Sequence, residues 1–348
     1  MVNKDFCLSS YMAFRYIWKE GIDFCEGFQH KNFRPVDSSE HIGVRTSEDI
    51  DREIQKQFDV LYSKYDNIGI LLSGGMDSAN LAAYLKQGSH AYTFVSDTGV
   101  FDADLERAKK YCAKWKLNHH LVDITFEDYK EYTPVVMRHK FAPVHSIEPQ
   151  IYKAAMLAEK DGVQLMIVGE SADLIFGGMD KLISPQWTFD GFAKRYTFLE
   201  PSAVLVNPVD QSELYERYRT GENSIDYMRF MDEVFSIESS SSYMNAFGAA
   251  WLPYYDPYAK LVMDEPLDMN RVRNGEPKYL VRGLYALKYP ELEIPFKIPM
   301  PRPVDVIFKD WAGPTRPEFR KDIDMNSLTG NQKWQLWCAE RFLDMIGE

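Results

Sequence analysis

Residues 68–86 read IGILLSGGMDSANLAAYLK, and this stretch decides the fold. Ile68 to Leu72 is a short apolar run typical of a buried strand, and Ala79 to Lys86 has the apolar spacing of a helix that stops at Gly88. The turn between them contains two adjacent glycines, which let the backbone bend sharply and approach a ligand closely. The next helix N-terminus presents unpaired N–H groups and a positive dipole end. The turn therefore predicts a binding site for an anion.

Strand and helix patterns alternate around this turn. The further predicted strands are His90–Val95, His119–Ile124 and Leu165–Val168, and the predicted helices are Thr46–Tyr65, Asp104–Trp115 and Ile151–Lys160. Short apolar strands that alternate with helices of about a dozen residues predict an α/β fold with a doubly wound parallel sheet. Such sheets bind ligands beyond the carboxyl ends of their strands. After about residue 185 the chain is rich in Tyr, Pro and Met, and we expect a largely helical region there. Its predicted helices are Gln211–Arg219, Ser224–Phe235 and Pro277–Lys288.

Composition narrows the class of protein. The 348 residues include 40 Lys and Arg against 52 Asp and Glu, a net charge of -12 that disfavours nucleic acid as a partner. The four cysteines contain no CxxC pair, which excludes the common zinc and iron–sulfur spacings and favours thiols in a reducing compartment. They are Cys7, Cys25, Cys112 and Cys338. No apolar run approaches the roughly 20 residues of a membrane span, and no signal-peptide pattern is present. We therefore expect a cytoplasmic protein without a membrane partner.

The glycine turn carries polar side chains suited to phosphate. Ser73 and Ser78 offer hydroxyl donors, whereas Asp77 would repel phosphate unless a divalent cation lay between them. The sequence Ser73-Gly74-Gly75-Met76-Asp77-Ser78 resembles the SGGxDS signature of the PP-loop ATP pyrophosphatases, an adenine nucleotide alpha hydrolase-like fold. The resemblance implies that the turn binds ATP and Mg2+, cleaves ATP between the α and β phosphates, and adenylates a substrate. No GK[ST] follows the turn, which disfavours simple transfer of the γ phosphate.

A second glycine motif, GESADLIFGG, occupies residues 169–178 after the fourth predicted strand. It resembles the GEGSDExFGG motif of asparagine synthetases and β-lactam synthetases, with Ser171 in place of Gly and Leu174 in place of Glu. The resemblance implies that Asp173 joins Asp77 around Mg2+ and pyrophosphate. It also implies four further nucleotide-binding residues, which are Phe94 and Val95 on the second strand and Gly169 and Glu170 in this motif.

Two lysines follow from the same resemblance. The segment Glu276–Arg282 is similar to the KxxLR helix of the family, whose lysine faces the phosphates, and this makes Lys278 a catalytic residue. Lys297 falls where the family has the lysine of its RxK motif, and it is the second catalytic candidate. Both would neutralise the departing pyrophosphate.

The chain also departs from the family pattern. Glutamine-dependent asparagine synthetases carry an N-terminal glutaminase domain that begins with Cys after Met, whereas Val2 follows Met1 here. We expect no glutamine hydrolysis by this chain, so nitrogen comes from free ammonia, another amine or a separate amidotransferase. The run Arg138-His139-Lys140 lies where the family has a carboxylate base, which leaves His139 or Glu148 as proton acceptor.

The substrate side departs as well. Trp251 and Pro295 stand where the family has arginines, which disfavours aspartate as the acceptor. The cationic run at 138–140 suits a more anionic or differently shaped acid. The acceptor is therefore expected to be a small-molecule carboxylate whose identity the sequence leaves open.

These features predict an ATP- and Mg2+-dependent carboxylate–amine ligase. Its expected parts are an N-terminal preamble and helix at 1–65, a nucleotide-binding core at 66–185 and a helical substrate-side region at 186–348. Two alternatives stay open: a PP-loop sulfurtransferase or tRNA-modifying enzyme, and a nucleotide-binding regulator without turnover.

Overall fold

The computed structural model describes residues 1–33, 38–295 and 302–347. The strands are β1 (Ile42–Val44), β2 (Ile68–Leu71), β3 (His90–Val95), β4 (Asn118–Asp123), β5 (Leu165–Ile167), β6 (Arg219–Gly221), β7 (Ser224–Ile225), β8 (Tyr254–Tyr255) and β9 (Leu261–Met263). The helices are α1 (Lys4–Phe14), α2 (Ser47–Tyr62), α3 (Met76–Ala82), α4 (Asp102–Trp115), α5 (Phe126–Lys140), α6 (Glu148–Lys160), α7 (Ala172–Ile175), α8 (Asp180–Ile183), α9 (Phe189–Tyr196), α10 (Pro201–Val204), α11 (Ser212–Glu216), α12 (Tyr227–Phe230), α13 (Ser236–Ala249), α14 (Met269–Arg273), α15 (Tyr279–Lys288), α16 (Val304–Ile307) and α17 (Gly330–Ile346).

The central sheet of the described residues has five parallel strands in the order β4-β3-β2-β5-β8. The chain moves outward from β2 through β3 to β4, then returns to the other side of β2 with β5. The carboxyl ends of β2 and β5 therefore flank the point where the strand order reverses, which is where open α/β sheets bind ligands. This topology confirms the predicted doubly wound parallel sheet.

Helices cover both faces of this sheet. Successive strand residues point to opposite faces, so Ala91 and Ile167 join one core and Tyr92 and Met166 join the other. Helices α2, α3, α4 and α15 pack on the first face, through buried residues that include Ile54, Ala79, Ala108 and Leu284. Helices α1, α5, α6 and α17 pack on the second, through buried residues that include Tyr11, Val136, Ala154 and Trp334.

Local capping signals explain where the main helices begin. Thr46 and Asp49 form a reciprocal capping box at the start of α2, as their spacing predicts. Thr125 and Asp128 form another at the start of α5, a helix that we did not predict. Pro134 lies inside α5 and weakens its pattern, because proline removes a backbone donor.

The region after residue 185 is largely helical, but two of its predicted helices differ. The helix at Gln211–Arg219 is shorter, because α11 ends before the β6–β7 hairpin. The prediction of a helix at Ser224–Phe235 was wrong at its start, because Ser224 and Ile225 form β7. This region also supplies β8 to the central sheet and α15 to its first face. The division into three parts stays a prediction.

No helix within the three described ranges has both the length and the apolar character needed to cross a membrane. The four cysteines are present as thiols, three of them buried.

Candidate active site

The first glycine turn is closed by its own hydroxyl groups. The Ser73 backbone N–H donates to Ser78 Oγ at 3.1 Å, and the two serine Oγ atoms lie 3.0 Å apart. The Gly75 N–H donates to Ser73 Oγ at 3.1 Å. These contacts fix the turn at the carboxyl end of β2, with Ser73 itself exposed to solvent. The turn is thus held in shape by its own hydrogen bonds and does not depend on a bound ligand. It presents one face to a ligand.

Helix α4 supports the same turn from behind. A Cβ atom on Gly74 would lie 2.5 Å from the Asp104 Cα, so the close approach of two backbones requires glycine here. Arg107 Nε donates to the Gly74 carbonyl at 2.9 Å, and its guanidinium also binds Asp104 at 2.8 Å. Gly74 is therefore needed for the packing of the turn against α4, as well as for close approach of the backbone to phosphate.

Three of the predicted site residues converge on one point. The Lys278 ammonium lies 2.6 Å from Asp77 Oδ2 and 2.7 Å from Asp173 Oδ1, and its side chain is only 3% exposed. Asp77 follows β2 and Asp173 follows β5, and the register of these neighbouring strands pairs Ile70 with Ile167. The two carboxylates therefore meet because parallel neighbours end at the same edge of the sheet.

The backbone of Lys278 is strained. Its φ of 54° lies in the left-handed region, and it immediately precedes α15. Such a conformation costs a non-glycine residue on the order of 1 kcal/mol or more and persists only where the surroundings impose it. This backbone conformation directs the buried Lys278 side chain toward the two carboxylates.

The charges in this cluster favour the ionised form of Lys278. Burial alone would lower the pKa of Lys278, but the Asp77 and Asp173 carboxylates outweigh burial and raise it. The lysine is therefore an ammonium ion at neutral pH. Mg2+ prefers carboxylate oxygens as ligands, and Asp77 and Asp173 each have a second oxygen besides the one that contacts Lys278. The residues present thus fit a Mg2+ ion, which Asp77 and Asp173 would hold.

The glycines of the second motif let its backbone fold tightly around Asp173. Gly177 has a φ of 77°, and a Cβ atom on Gly178 would lie 2.8 Å from the Asp173 Cα. The Gly178 N–H donates to the Asp173 carbonyl at 2.7 Å. At the start of the motif, a Cβ on Gly169 would lie 3.4 Å from the Asp77 carbonyl carbon. Gly169 therefore brings the two motifs into direct contact.

Glu170 is the second residue of this motif, and two hydroxyl groups hold its carboxylate. Ser239 Oγ donates to Glu170 Oε2 at 2.6 Å, and Ser240 Oγ donates to Oε1 at 3.0 Å. Burial, together with the nearby Asp256 carboxylate, raises the pKa of Glu170 to about 7. Glu170 is thus a carboxyl group that changes charge near neutral pH.

Asp256 is a site residue that we did not predict. Its Oδ2 accepts the Ser171 N–H at 2.8 Å, and burial raises its pKa to about 6. The sequence signal was available, because Asp256 ends the segment Asn245–Asp256 (NAFGAAWLPYYD), which is similar to the family segment ending ARVPFLD. Asp256 anchors the second motif through this hydrogen bond.

The remaining predicted site residues lie apart from this cluster or outside the described part of the chain. Phe94 and Val95 end β3, at the same edge of the sheet as the glycine turn, and both are half-buried. Phe94 packs on Phe101 with ring centroids 6.0 Å apart. Lys297 lies outside the described residues.

The three cations at 138–140 do not lie together on one surface. Lys140 is buried and paired with Glu148 at 3.2 Å. His139 Nδ1 donates to Asn245 Oδ1 at 2.8 Å, and Arg138 is exposed. Successive helical side chains point about 100° apart, so a run of three cations on α5 separates into three environments.

Trp251 also does not face the candidate site. It lies just before β8, at the edge of the sheet opposite the glycine turns, and it is 91% exposed. The position that we placed on the substrate side is therefore on the outer surface.

Arg15 contacts the helix that holds Glu170, and no pattern in the sequence predicted this. Arg15 Nε lies 3.1 Å from Glu238 Oε1, and the Arg15 guanidinium lies 3.3 Å from His145 Nε2. Glu238 immediately precedes the serines that hold Glu170. Because these residues are far apart in the chain, only the tertiary fold brings them together.

The comparisons with known proteins agree with the glycine motifs. A family model described as asparagine synthase matches residues 60–254. No curated protein sequence gives a significant match.

Two solved structures show a weaker likeness. The U34-tRNA thiolase of Methanococcus maripaludis, solved with its [4Fe-4S] cluster, is 14% identical over 72% of this chain and 82% of its own, with a TM-score of 0.29. The NMN synthetase of Francisella tularensis is 11% identical over 73% of this chain and 99% of its own, also with a TM-score of 0.29. We draw no conclusion about the reaction from either likeness.

The family match covers more than half of the chain and includes both glycine motifs. Its members are PP-loop proteins that use ATP, and the sheet described above ends in the two turns that such a site requires. The protein therefore belongs to the asparagine synthase family.

Proposed function

We propose that this protein is an ATP- and Mg2+-dependent carboxylate–amine ligase. It adenylates a small-molecule carboxylate with release of pyrophosphate, and it transfers the acyl group to ammonia or another amine. The observation that carries the proposal is the convergence of Asp77, Asp173 and Lys278 at the carboxyl ends of β2 and β5. Family membership supports the use of ATP, and the reaction itself is our inference from these residues.

The proposed reaction has two chemical steps. A carboxylate oxygen of the acceptor attacks the α phosphorus of ATP, the bond from that phosphorus to the bridging oxygen breaks, and pyrophosphate leaves. The amine nitrogen then attacks the acyl carbon, AMP leaves with the carboxylate oxygen, and the nitrogen loses a proton. When bound, Mg2+ would neutralise charge on the phosphates. Lys278 supplies a second positive charge for the departing pyrophosphate.

We assign to Glu170 the role of accepting the proton from the amine. Its two hydroxyl partners hold the carboxylate in one orientation, and a pKa of about 7 is close to the value that suits a general base at neutral pH. The two acceptors proposed from the sequence are committed elsewhere: Glu148 pairs with Lys140, and His139 bonds to Asn245.

The assignment of Glu170 predicts a pH dependence. Only the ionised carboxylate accepts a proton, so turnover should rise as the pH increases through about 7 and then level off. The charged groups around it are Asp256 and Glu238, and both raise its pKa. Glu170→Gln should lower amide formation by roughly a hundredfold or more and abolish this limb of the pH profile. The measurement is product formation between pH 5.5 and 9 at saturating ammonia, with pH-corrected ammonia concentration.

Glu159→Gln on the exposed end of α6 is the matched control, and it should keep the wild-type profile. If Glu170→Gln retains the rise near pH 7, the base is another group.

The ligase proposal predicts the products of ATP. Purified protein with ATP, Mg2+, ammonia and a panel of carboxylic acids should form AMP and pyrophosphate in equal amounts, and only with an acid present. Products are separated by ion-exchange chromatography, and the amide is identified by mass spectrometry. A parallel arm with glutamine in place of ammonia tests the nitrogen source.

Formation of ADP and phosphate would contradict the proposal. AMP formation that depends on added tRNA and a sulfur donor would favour the sulfurtransferase alternative. Tight ATP binding without turnover for any acid would favour the regulator.

A further inference from the structure

A group of metal-ligating side chains lies on the central sheet, away from the candidate active site. His90 is the first residue of β3, His120 is the third residue of β4, and Asp161 follows α6. One nitrogen from each imidazole and one carboxylate oxygen of Asp161 all lie within 4.8 Å of one another. A six-residue strand spans on the order of 15 Å, so His90 at the start of β3 is far from the edge of the sheet at which the first glycine turn lies.

The strand register explains why these side chains meet. It pairs His90 with Asn118 and Tyr92 with His120, so His90, Tyr92 and His120 share one face of the sheet. The ring centroids of His90 and His120 are 4.9 Å apart, and those of Tyr92 and His120 are 4.8 Å apart. Three stacked rings therefore hold the two imidazoles in place.

Asp161 lies on the other side of the His120 ring, where it faces Nδ1 and fixes the ring so that Nε2 points toward His90. The Tyr92 hydroxyl donates to Asp161 Oδ2 at 2.7 Å, and the same oxygen lies 3.4 Å from His120 Nδ1. The side chains of His120 and Asp161 are 32% and 34% exposed, so an ion can enter from solvent. A hydrogen bond from a fixed tyrosine is the kind of outer-shell contact that orients metal ligands.

The spacing of the imidazole nitrogens suits one metal ion. His90 Nδ1 and His120 Nε2 are 2.9 Å apart. Two nitrogens bound at about 2.1 Å to the same ion are about 3.0 Å apart at a right angle and about 3.4 Å apart in a tetrahedron. This contact is a hydrogen bond between the two imidazoles, so binding requires a shift of a few tenths of an ångström and release of the shared proton to solvent. Two imidazoles and a carboxylate form a donor set typical of Zn2+ and related divalent transition metals.

We propose that His90, His120 and Asp161 form a binding site for a divalent transition-metal ion of the zinc class. The site does not depend on the proposed ligase function, because it shares no residue with the Asp77, Asp173 and Lys278 cluster. A bound ion would join β3, β4 and the end of α6, and it would stabilise this edge of the sheet.

His119 provides a matched control within the same strand. It is the neighbour of His120, but it points to the opposite face, where its Nε2 lies 2.8 Å from Thr93 Oγ1. His119→Ala removes a histidine at the same exposed end of β4 without removing a proposed ligand.

The experiment measures Zn2+ binding by isothermal titration calorimetry. The full chain is used without a histidine tag, and excess Mg2+ is present to occupy the carboxylates of the candidate active site. We expect one Zn2+ per chain with a roughly micromolar Kd. His90→Ala and His120→Ala should each weaken binding at least tenfold, Asp161→Asn should weaken it by about tenfold, and His119→Ala should leave it unchanged. Co2+ titration should produce a visible absorption band that the His120→Ala variant lacks.

Thermal melting checks that each variant folds. If His120→Ala fails to fold, His120→Gln replaces it, because glutamine keeps a hydrogen-bonding group but is a weak zinc ligand. The proposal is overturned if the wild-type chain binds no Zn2+ at millimolar concentration, or if the His90→Ala and His120→Ala variants bind as tightly as the wild type. Equal loss in His119→Ala would overturn it as well, since binding would then not be at this face.

Discussion

Asp77→Asn should abolish pyrophosphate formation while the protein stays folded. The substitution keeps the shape of the side chain and removes its charge, so the pair of carboxylates that would hold Mg2+ is reduced to one. Loss of such a charge at a phosphoryl-transfer site is expected to lower turnover by roughly a thousandfold or more. Asp173→Asn should have a similar effect, because both carboxylates converge on the same point.

The double variant gives the sharper measurement. If Asp77 and Asp173 act as one unit, the two losses are not additive, and the double variant is only slightly slower than either single variant. Turnover is measured as radiolabelled pyrophosphate released from ATP with the acid found by the screen. Asp59→Asn on the exposed face of α2 is the control for the chemical change itself.

Full activity of either single variant at saturating Mg2+ would remove the metal assignment. Thermal melts distinguish this from misfolding. Lys278 keeps one carboxylate partner in each single variant, so the melting temperature should change little.

The core of the fold was predictable because its signals are local. Ile68 to Leu72 is apolar at every position, the next turn has two glycines, and Thr46 with Asp49 marks a helix start within four residues. The approach of Asp77 to Asp173 was expected from the family resemblance, and it agrees with the rule that the carboxyl ends of parallel strands lie at one edge of the sheet.

The environments of the charged residues on α1 and α5 were not predictable in this way. Three successive cations on α5 have no pattern that separates a buried ion pair from an exposed charge, and the pairing of Lys140 with Glu148 is decided by how α5 meets α6. The contact of Arg15 with Glu238 joins α1 to α13 and is equally invisible in a local pattern.

The serine run at 239–242 is a further feature whose role could not be predicted from a local sequence pattern. A run of four serines suggests no structure by itself, yet it lies inside α13 with three of its members buried. Ser239 and Ser240 hold Glu170, and Ser241 Oγ donates to the Phe33 carbonyl at 3.2 Å. Small hydroxyl side chains are required because this helix packs closely against polar groups that must be satisfied.

Only the resemblance to the family pointed to Lys278 in the sequence. Its geometry in the structure leads us to expect a large effect when its side chain is removed. Lys278→Ala should lower turnover by about a hundredfold or more and change the KM for ATP much less. Negative charge grows on the bridging oxygen as pyrophosphate departs, so the ammonium stabilises the transition state more than bound ATP. Removal of one such charged donor costs on the order of 3 kcal/mol.

Two companion variants separate the possible reasons for such a loss. Lys278→Gly removes the same side chain but suits the left-handed backbone at φ 54°, so it should match Lys278→Ala in turnover and melt at a higher temperature. Lys278→Arg should recover only part of the rate, because a planar guanidinium cannot place its charge where a compact ammonium lies 2.6 Å and 2.7 Å from two carboxylates.

Lys288→Ala is the control, since Lys288 lies at the other end of α15 and pairs with Asp51 at 2.5 Å. It removes an ion pair from the same helix and should leave turnover within about twofold of the wild type. Normal turnover with weak ATP binding in Lys278→Ala would assign Lys278 to ground-state binding. Unchanged kinetics with a lower melting temperature would make it a structural partner of the two aspartates, because two partly buried carboxylates that face each other without a cation destabilise the fold.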